Sequence, residues 1–220
     1  MNIFDILGPV MVGPSSSHTA GAVKIGYISQ KLMGEPIVKA NIALYGSFLL
    51  TGKGHGTTKA IVAGLLGMKP DDENIPYSFE IAEQQNLDFV ISEANLKDAH
   101  PNSVLLQLVG KSGKKLDIIG ESLGGSIINI AKIDGLSANI SGDYPTLICS
   151  NTDVPGMVAK VSTILAINNV NIANLQLYRS SRGKNSVFIA ECDQEINKEC
   201  LKEIGNLNGI VKVSYLSLED

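Results

Sequence analysis

The spacing of apolar residues switches between helical and alternating along this chain, and each switch marks a new element. Ala22, Ile25, Ser29 and Leu32 fall at i, i+3, i+7 and i+10, the spacing of a helix with one buried stripe; Gly34 ends it and Pro36 lies just beyond. Ahead of that helix, a short apolar lead (Ile3, Phe4, Ile6, Leu7) is followed by Gly8-Pro9 and Gly13-Pro14, which bracket an extended Val10-Met11-Val12. Val38, Ala40, Ile42 and Leu44 then alternate with Lys39, Asn41 and Ala43, which predicts a half-buried strand ending near Tyr45-Gly46. A glycine-framed segment, Gly52 to Thr57, leads into a strongly apolar helix from Thr58 to about Gly67. After the polar loop Lys69 to Pro76, Ser78 to Asn86 predicts a more modest helix.

From Phe89 onward the period drops to two. Phe89 to Ala94, Val104 to Val109, Leu116 to Ile119, Ile127 to Ile133 and Leu136 to Ile140 predict successive strands, with Asp134-Gly135 a strong two-residue hairpin signal. This half is therefore α+β, with helices early and an antiparallel meander late. Ser141-Gly142-Asp143-Tyr144-Pro145 marks a boundary, so the domains expected are 1–143 and 146–220. In the second, a strand (Thr146 to Ser150), a helix (Val158 to Asn168), two strands (Asn171 to Arg179, Asn185 to Glu191), a helix (Asn197 to Leu207) and a last strand (Ile210 to Leu216) follow in turn. That order, βαββαβ, is the ferredoxin-like arrangement.

Composition narrows the function. With 220 residues and 44% apolar content, the chain can bury one large or two small cores. Its net charge is −4, and it has no basic block or aromatic-basic interleaving, which disfavours nucleic acid as a partner. Met1 to Asp5 lacks the features of a secretory leader, and no apolar run reaches a membrane-spanning length; the expectation is a cytoplasmic protein with no membrane association. The cysteines are three (Cys149, Cys192, Cys200) and lack CxxC spacing, which argues against a disulfide framework and against a self-contained metal site, so no metal ligands are expected in this chain. They read as small buried apolar residues.

Two segments carry candidate chemistry. Gly13-Pro14-Ser15-Ser16-Ser17-His18-Thr19-Ala20-Gly21 places four hydroxyls and an imidazole at a helix start, where one hydroxyl would suffice as a cap. The surplus suits an anion pocket, with a carboxylate the natural guest and phosphate the next; the plainer reading is a serine-rich turn. In Gly52-Lys53-Gly54-His55-Gly56-Thr57 the glycines permit close backbone approach to a ligand, and Thr57 would cap the next helix; the plainer reading is a flexible turn with a solvated histidine. His100 before Pro101-Asn102 reads as a turn residue, and Gly120 to Ser126 as a bend rather than a backbone anion nest. In Asp153-Val154-Pro155-Gly156, Asp153 can cap the following helix while Gly156 admits a small ligand, or the segment is a plain strand-to-helix turn.

These residues match a known pattern. The serine run, Tyr45-Gly46-Ser47, Lys53-Gly54-His55-Gly56-Thr57, His100-Pro101-Asn102 and Ser122-Leu123-Gly124-Gly125 resemble, in order, the β chain of iron–sulfur-dependent L-serine dehydratase. The first half is similar to the allosteric substrate-binding domain of some 3-phosphoglycerate dehydrogenases, and the second resembles an ACT domain, an amino-acid-binding module that pairs edge to edge in dimers. Where the family commonly has Asp after Gly-His-Gly-Thr, this chain has Thr58, which carries no charge.

The resemblance implies deamination of L-serine to pyruvate and ammonia. It implies a [4Fe–4S] cluster held by the cysteines of a partner α chain, where an open iron would act as Lewis acid on the serine hydroxyl. Ser15, Ser16, Ser17 and Thr19, with Gly54, Gly56 and Thr57, would bind the substrate, and His18 or His55 would transfer a proton. It further implies pairing of two copies through the ACT domain, with Asp153, Val154, Pro155 and Gly156 at an effector site. The alternative is a non-catalytic, amino-acid-sensing subunit of a metabolic enzyme.

Overall fold

The computed structural model describes residues 10–179 and 183–219 and divides the chain into two units, Met1–Gly135 and Leu136–Asp220, each built around its own sheet. The predicted lead (Ile3, Phe4, Ile6, Leu7), the Gly8-Pro9 break and residues 180–182 of the last strand connection lie outside the described residues.

In the first unit, α1 (Ala22–Met33) follows a π-helical turn (Ser16–Gly21) and leads to β1 (Ile37–Gly46). Three helices come next, α2 (Ser47–His55), α3 (Thr57–Leu65) and α4 (Ser78–Gln84), then β2 (Asp88–Glu93), β3 (Asn102–Gly110), β4 (Lys115–Gly124) and β5 (Ile127–Ile133). The predicted stripe on α1 is buried, and the one polar member, Ser29, donates its hydroxyl to the Ile25 carbonyl at 2.7 Å, so its burial leaves no unpaired donor. Gly34 closes the helix with φ 72°, as its position predicts.

The strands order as β2-β1-β3-β4-β5. From β3 to β5 they form the expected antiparallel meander, but β2 runs parallel to β1, because three helices cross over between them. Hydrophobic alternation fixes which face is covered: Val104, Leu106 and Leu108 of β3 and Leu116 and Ile118 of β4 are buried, while Gln107 and Asp117 face outward. On β1 a register irregularity between Ile37 and Lys39 buries Ile37 in place of the predicted Val38.

The helical layer is thin because α1 and α3 touch backbone to backbone. A Cβ on Gly26 would run into the Ile61 carbonyl, and one on Gly64 into the Val23 carbonyl and the Tyr27 amide. Ala60, Ile61, Val62, Ala63 and Leu65 of α3 are all buried at this crossing. Each fully buried aliphatic side chain of this size contributes about 1.5–3 kcal/mol.

The second unit opens with β6 (Leu136–Ile140), then runs β7 (Thr146–Thr152), α5 (Met157–Ile167), β8 (Ile172–Arg179), β9 (Asn185–Cys192), α6 (Lys198–Gly205) and β10 (Ile210–Leu216). The order β10-β7-β9-β8, all neighbours antiparallel, is the ferredoxin-like sheet that the βαββαβ pattern predicts. Met157, Val161, Ile164 and Leu165 of α5 pack with Cys200 and Ile204 of α6 over Leu147, Phe188 and Ala190 of the sheet. Asp153 does not cap α5: its carboxylate accepts from the Gly183 amide (3.0 Å) and from Arg179 (3.2 Å), and the N-cap is Gly156, φ 86°, with no side-chain bond. Val154 and Pro155 stand exposed between them.

The glycine crossing generates the first prediction. Gly64→Ala would wedge a methyl between two helix backbones, and urea denaturation should show a loss of about 1–3 kcal/mol, the usual cost of overpacking. Gly54→Ala, on helix α2 where a Cβ would meet nothing, should cause no such loss.

Candidate functional site

The serine run does not enter its helix directly. Ser15 holds extended backbone (φ −139°, ψ 126°), and its hydroxyl accepts from the His18 amide at 3.1 Å, the ordinary capping bond. The Ser15 carbonyl then accepts from Thr19 (2.9 Å) and Ala20 (3.2 Å), and Ser16–Gly21 wind as a π-helical turn. Such wide turns are rare and occur mostly as single turns at functional sites. This one is held from the sheet. Period-two alternation sends Gly120 and Ser122 of β4 to the helix side, where the Ser122 hydroxyl donates to the Ser17 carbonyl at 3.0 Å. Gly21 lies so close that any Cβ there would collide with the Ser122 side chain.

The second segment differs from its predicted form. Gly52 to His55 is not a glycine loop but the end of helix α2. The chain turns at Gly46 (φ 57°, ψ −124°), and the Ser47 amide donates to the Pro101 carbonyl at 2.7 Å, so a helix can start at once. Glycine inside a helix costs about 1 kcal/mol relative to alanine. At Gly52 the cost has a steric reason, because Thr57 packs 3.1 Å from where its Cβ would stand. Thr57 is wholly buried and does not cap α3, as it was expected to; Gly56 (φ 69°) is the N-cap, without a side-chain bond. The Thr57 hydroxyl has no hydrogen-bond partner among the described residues.

Helix α2 carries the rest of the site. Ser47, Thr51 and His55 stand at i, i+4 and i+8, hence on one stripe, and that stripe faces His18. The Nε2 atom of His18 lies 3.1 Å from the Ser47 hydroxyl and 3.0 Å from the Thr51 hydroxyl. Nδ1 of His55 lies 3.0 Å from the Thr51 carbonyl. The two imidazoles are 5.0 Å apart, and Phe48, fully buried, sets its ring 5.4 Å from that of His18 in a T-shaped contact. The Thr19 hydroxyl donates to the His55 carbonyl at 3.1 Å, tying the π-turn to the end of α2.

A cavity of about 230 Å³ opens beside this pair, and its wall includes Gly13, Pro14, Thr19, Gly54, His55 and Gly56. The two segments singled out from sequence thus share one cavity, although 36 residues separate Thr19 from His55. Lys59, also in that wall, donates to the Pro76 carbonyl at 2.6 Å. Thr58 is half-buried beside it on α3. Thr51 was missed because its segment reads as a connection rather than a helix. The four-residue spacing of Ser47, Thr51 and His55 is the signal that would have found it.

His100 serves its own turn, with Nδ1 accepting from the Asn102 amide at 3.1 Å. Its neighbours brace both halves of the site. Pro101 supplies the carbonyl that starts α2, and the Asn102 amide group donates to the Ser122 carbonyl at 3.3 Å. Of the predicted Gly120–Ser126 bend, Gly120 to Gly124 prove to be the end of β4, and only Gly125 (φ 60°) and Ser126 (φ 65°) make the turn into β5.

Burial, and next the adjacent His55, lower the pKa of His18, against a smaller upward effect of a hydrogen bond with the Ser47 backbone. The cysteines are chemically remote from such a site. All three are buried in the second unit, where desolvation pushes the Cys149 thiol up to about 12 and Cys192 up to about 11, and also raises Cys200. Among the described residues no three His, Cys, Asp or Glu side chains converge as a metal site, so these residues do not fit an iron–sulfur cluster. Nor is any helix among them long and apolar enough to cross a membrane.

Comparison with known proteins finds a different family model for each part of the chain. Residues 2–87 match the family model "Serine dehydratase beta chain" and residues 146–209 the model "ACT domain". The chain is 35% identical over 216 residues to the Bacillus subtilis protein named "Probable L-serine dehydratase, beta chain", covering 98% of both. It is 34% identical to the "L-serine dehydratase, beta chain" of Peptoniphilus asaccharolyticus, over 98% of this chain and 97% of that one. It is also 27% identical to a "D-3-phosphoglycerate dehydrogenase" of Archaeoglobus fulgidus, over 90% of this chain but 37% of that protein.

The lowered pKa of His18 predicts a pH dependence of stability. Because the folded value lies below the ordinary 6.5, the unfolded chain binds more protons as pH falls. The stability tied to neutral His18 is therefore complete above pH 6.5 and is lost as pH drops from there through the folded value. Between about pH 7.5 and about pH 5.5, wild type should lose more urea stability than His18→Gln. Equal losses would show that the folded environment leaves this imidazole unshifted.

Proposed function

The chain belongs to the L-serine dehydratase β-chain family, and on that premise we propose that it is one chain of a two-chain cytoplasmic enzyme that deaminates L-serine to pyruvate and ammonia. In this reading the [4Fe–4S] cluster belongs to a cysteine-bearing α chain, since the described residues here offer no fitting ligands.

The observation that carries the reading is the meeting of His18 and His55, 5.0 Å apart, beside a cavity with glycine in its wall. An elimination needs a group that takes the Cα proton and a pocket that holds the carboxylate. His55 is assigned the proton, because it lines the cavity between Gly54 and Gly56, and His18, held among Ser47, Thr51 and Phe48, the orientation. The hydroxyls of Ser15 and Thr19 are engaged with the His18 amide and the His55 carbonyl. The Ser15 hydroxyl only accepts there and keeps its proton, whereas that of Thr19 is given to His55, so the carboxylate is assigned to Ser15, Ser16, Ser17 and the backbone about Gly54 and Gly56, with Thr19 and Thr57 shaping the pocket. The ACT unit is assigned pairing with a second copy and an amino-acid effector at the turn Asp153, Val154, Pro155 and Gly156, which the bonds of Asp153 to Gly183 and Arg179 hold in place.

The match to the Archaeoglobus fulgidus dehydrogenase favours a second reading, in which both units sense a small molecule for a partner enzyme. One experiment separates them. The chain is purified anaerobically with its cysteine-bearing partner and assayed for pyruvate from L-serine. Wild type should turn over, and His55→Ala should reduce kcat by about 10²–10⁴-fold with the cluster spectrum intact. No pyruvate from the wild-type pair would leave the sensing reading. A His55→Ala loss of less than about tenfold would remove the proton from His55.

A further inference from the structure

Thr51 touches both imidazoles, through two different atoms. Its hydroxyl donates to the Ser47 carbonyl one helical turn back, at 2.9 Å, the usual bond of a threonine inside a helix. A hydroxyl has one proton, and with that proton on the Ser47 carbonyl its oxygen can only accept. The group 3.0 Å away is Nε2 of His18, which must then carry hydrogen. The Ser47 hydroxyl, 3.1 Å from the same nitrogen, serves as second acceptor. On the other side the Thr51 carbonyl, which can only accept, lies 3.0 Å from Nδ1 of His55, so that nitrogen must carry hydrogen too.

We infer that Thr51 is a positioning residue that sets the tautomers of both histidines: His18 is the Nε2–H form and His55 the Nδ1–H form. The lone pairs then sit on Nδ1 of His18 and Nε2 of His55, and those are the atoms that can take a proton. The assignment is opposite at the two rings because one is read by the side chain of Thr51 and the other by its backbone. Which ring nitrogen carries hydrogen is decided by the partner of the other nitrogen or of the hydrogen itself, and the wrong tautomer presents no lone pair to the substrate. The neutral state this requires agrees with the lowered pKa of His18. The tautomers follow from hydrogen-bond donors and acceptors alone; their catalytic use rests on the dehydratase reading.

The test uses the full chain labelled with ¹⁵N-histidine. Only three imidazoles are present, and they can be assigned with His18→Gln, His55→Gln and His100→Gln. Long-range ¹H–¹⁵N correlations at neutral pH should show hydrogen on Nε2 of His18 and on Nδ1 of His55. Thr51→Val keeps the carbonyl and removes the hydroxyl, so His18 should become a mixture of tautomers while His55 stays as it was. Thr51→Ser should restore His18. Hydrogen on Nδ1 of His18 or on Nε2 of His55 in wild type would overturn the inference, as would an unchanged His18 in a folded Thr51→Val. The wild-type spectrum decides even if Thr51→Val does not fold. In the assembled enzyme Thr51→Val should lower kcat by about 10–100-fold, the size typical of partners that orient a functional histidine, with recovery in Thr51→Ser. Absence of turnover in the wild-type pair would sink the dehydratase reading and leave the tautomers standing.

Discussion

The first unit depends on how its π-helical turn is held. A turn of this width has no stability of its own, and two bonds from outside the helix keep it open. Ser122 reaches up from β4 to the Ser17 carbonyl, and Thr19 reaches across to the carbonyl of His55. The first anchors the turn to the sheet and the second to α2. Between these anchors stands His18, with its ring aimed at Ser47 and Thr51. An ordinary α-turn would rotate that ring by a fraction of a turn and take it off the stripe it meets. The irregular winding of the serine run is thus imposed by its neighbours.

The anchors work only because the layers are close. Gly26 and Gly64 let α1 and α3 approach to backbone contact, while Gly21 leaves room for the Ser122 side chain and Gly120 for that of Ile25 on α1. Small residues at the crossings set the depth of the fold, while buried aliphatic residues of α1, α3 and the sheet fill its core. His100-Pro101-Asn102 belongs to the same scheme. It contributes backbone and a side-chain amide to both α2 and β4, and so couples the strand that holds Ser122 to the helix that presents His55.

The second unit is built on a different principle. It is a regular ferredoxin-like sandwich whose core is assembled from α5, α6 and the inner face of one sheet. Its cysteines are part of that core, and the upward shift of their thiols is what burial without a cationic neighbour produces. Its Asp153 carboxylate is spent on Gly183 and Arg179 rather than on the helix that follows.

Periodicity alone determined much of this. The helices α1 and α5, the alternation on β3 and β5, the βαββαβ order and the two chemically marked segments were all legible, because each is a local pattern of apolar spacing or an uncommon run of residues. The parallel pairing of β2 with β1 was not, since a strand looks the same in either direction until its connection is known. Nor was α2, whose glycines argue for a loop; a bond from Pro101, more than fifty residues on, lets it start, and Thr57 packs against it. With α2 hidden, Thr51 could not be seen as a neighbour of either histidine. The sequence marked which residues carry the chemistry by their type, and only the tertiary structure decided which atoms of them face one another, because hydrogen-bond direction depends on geometry that no single segment contains.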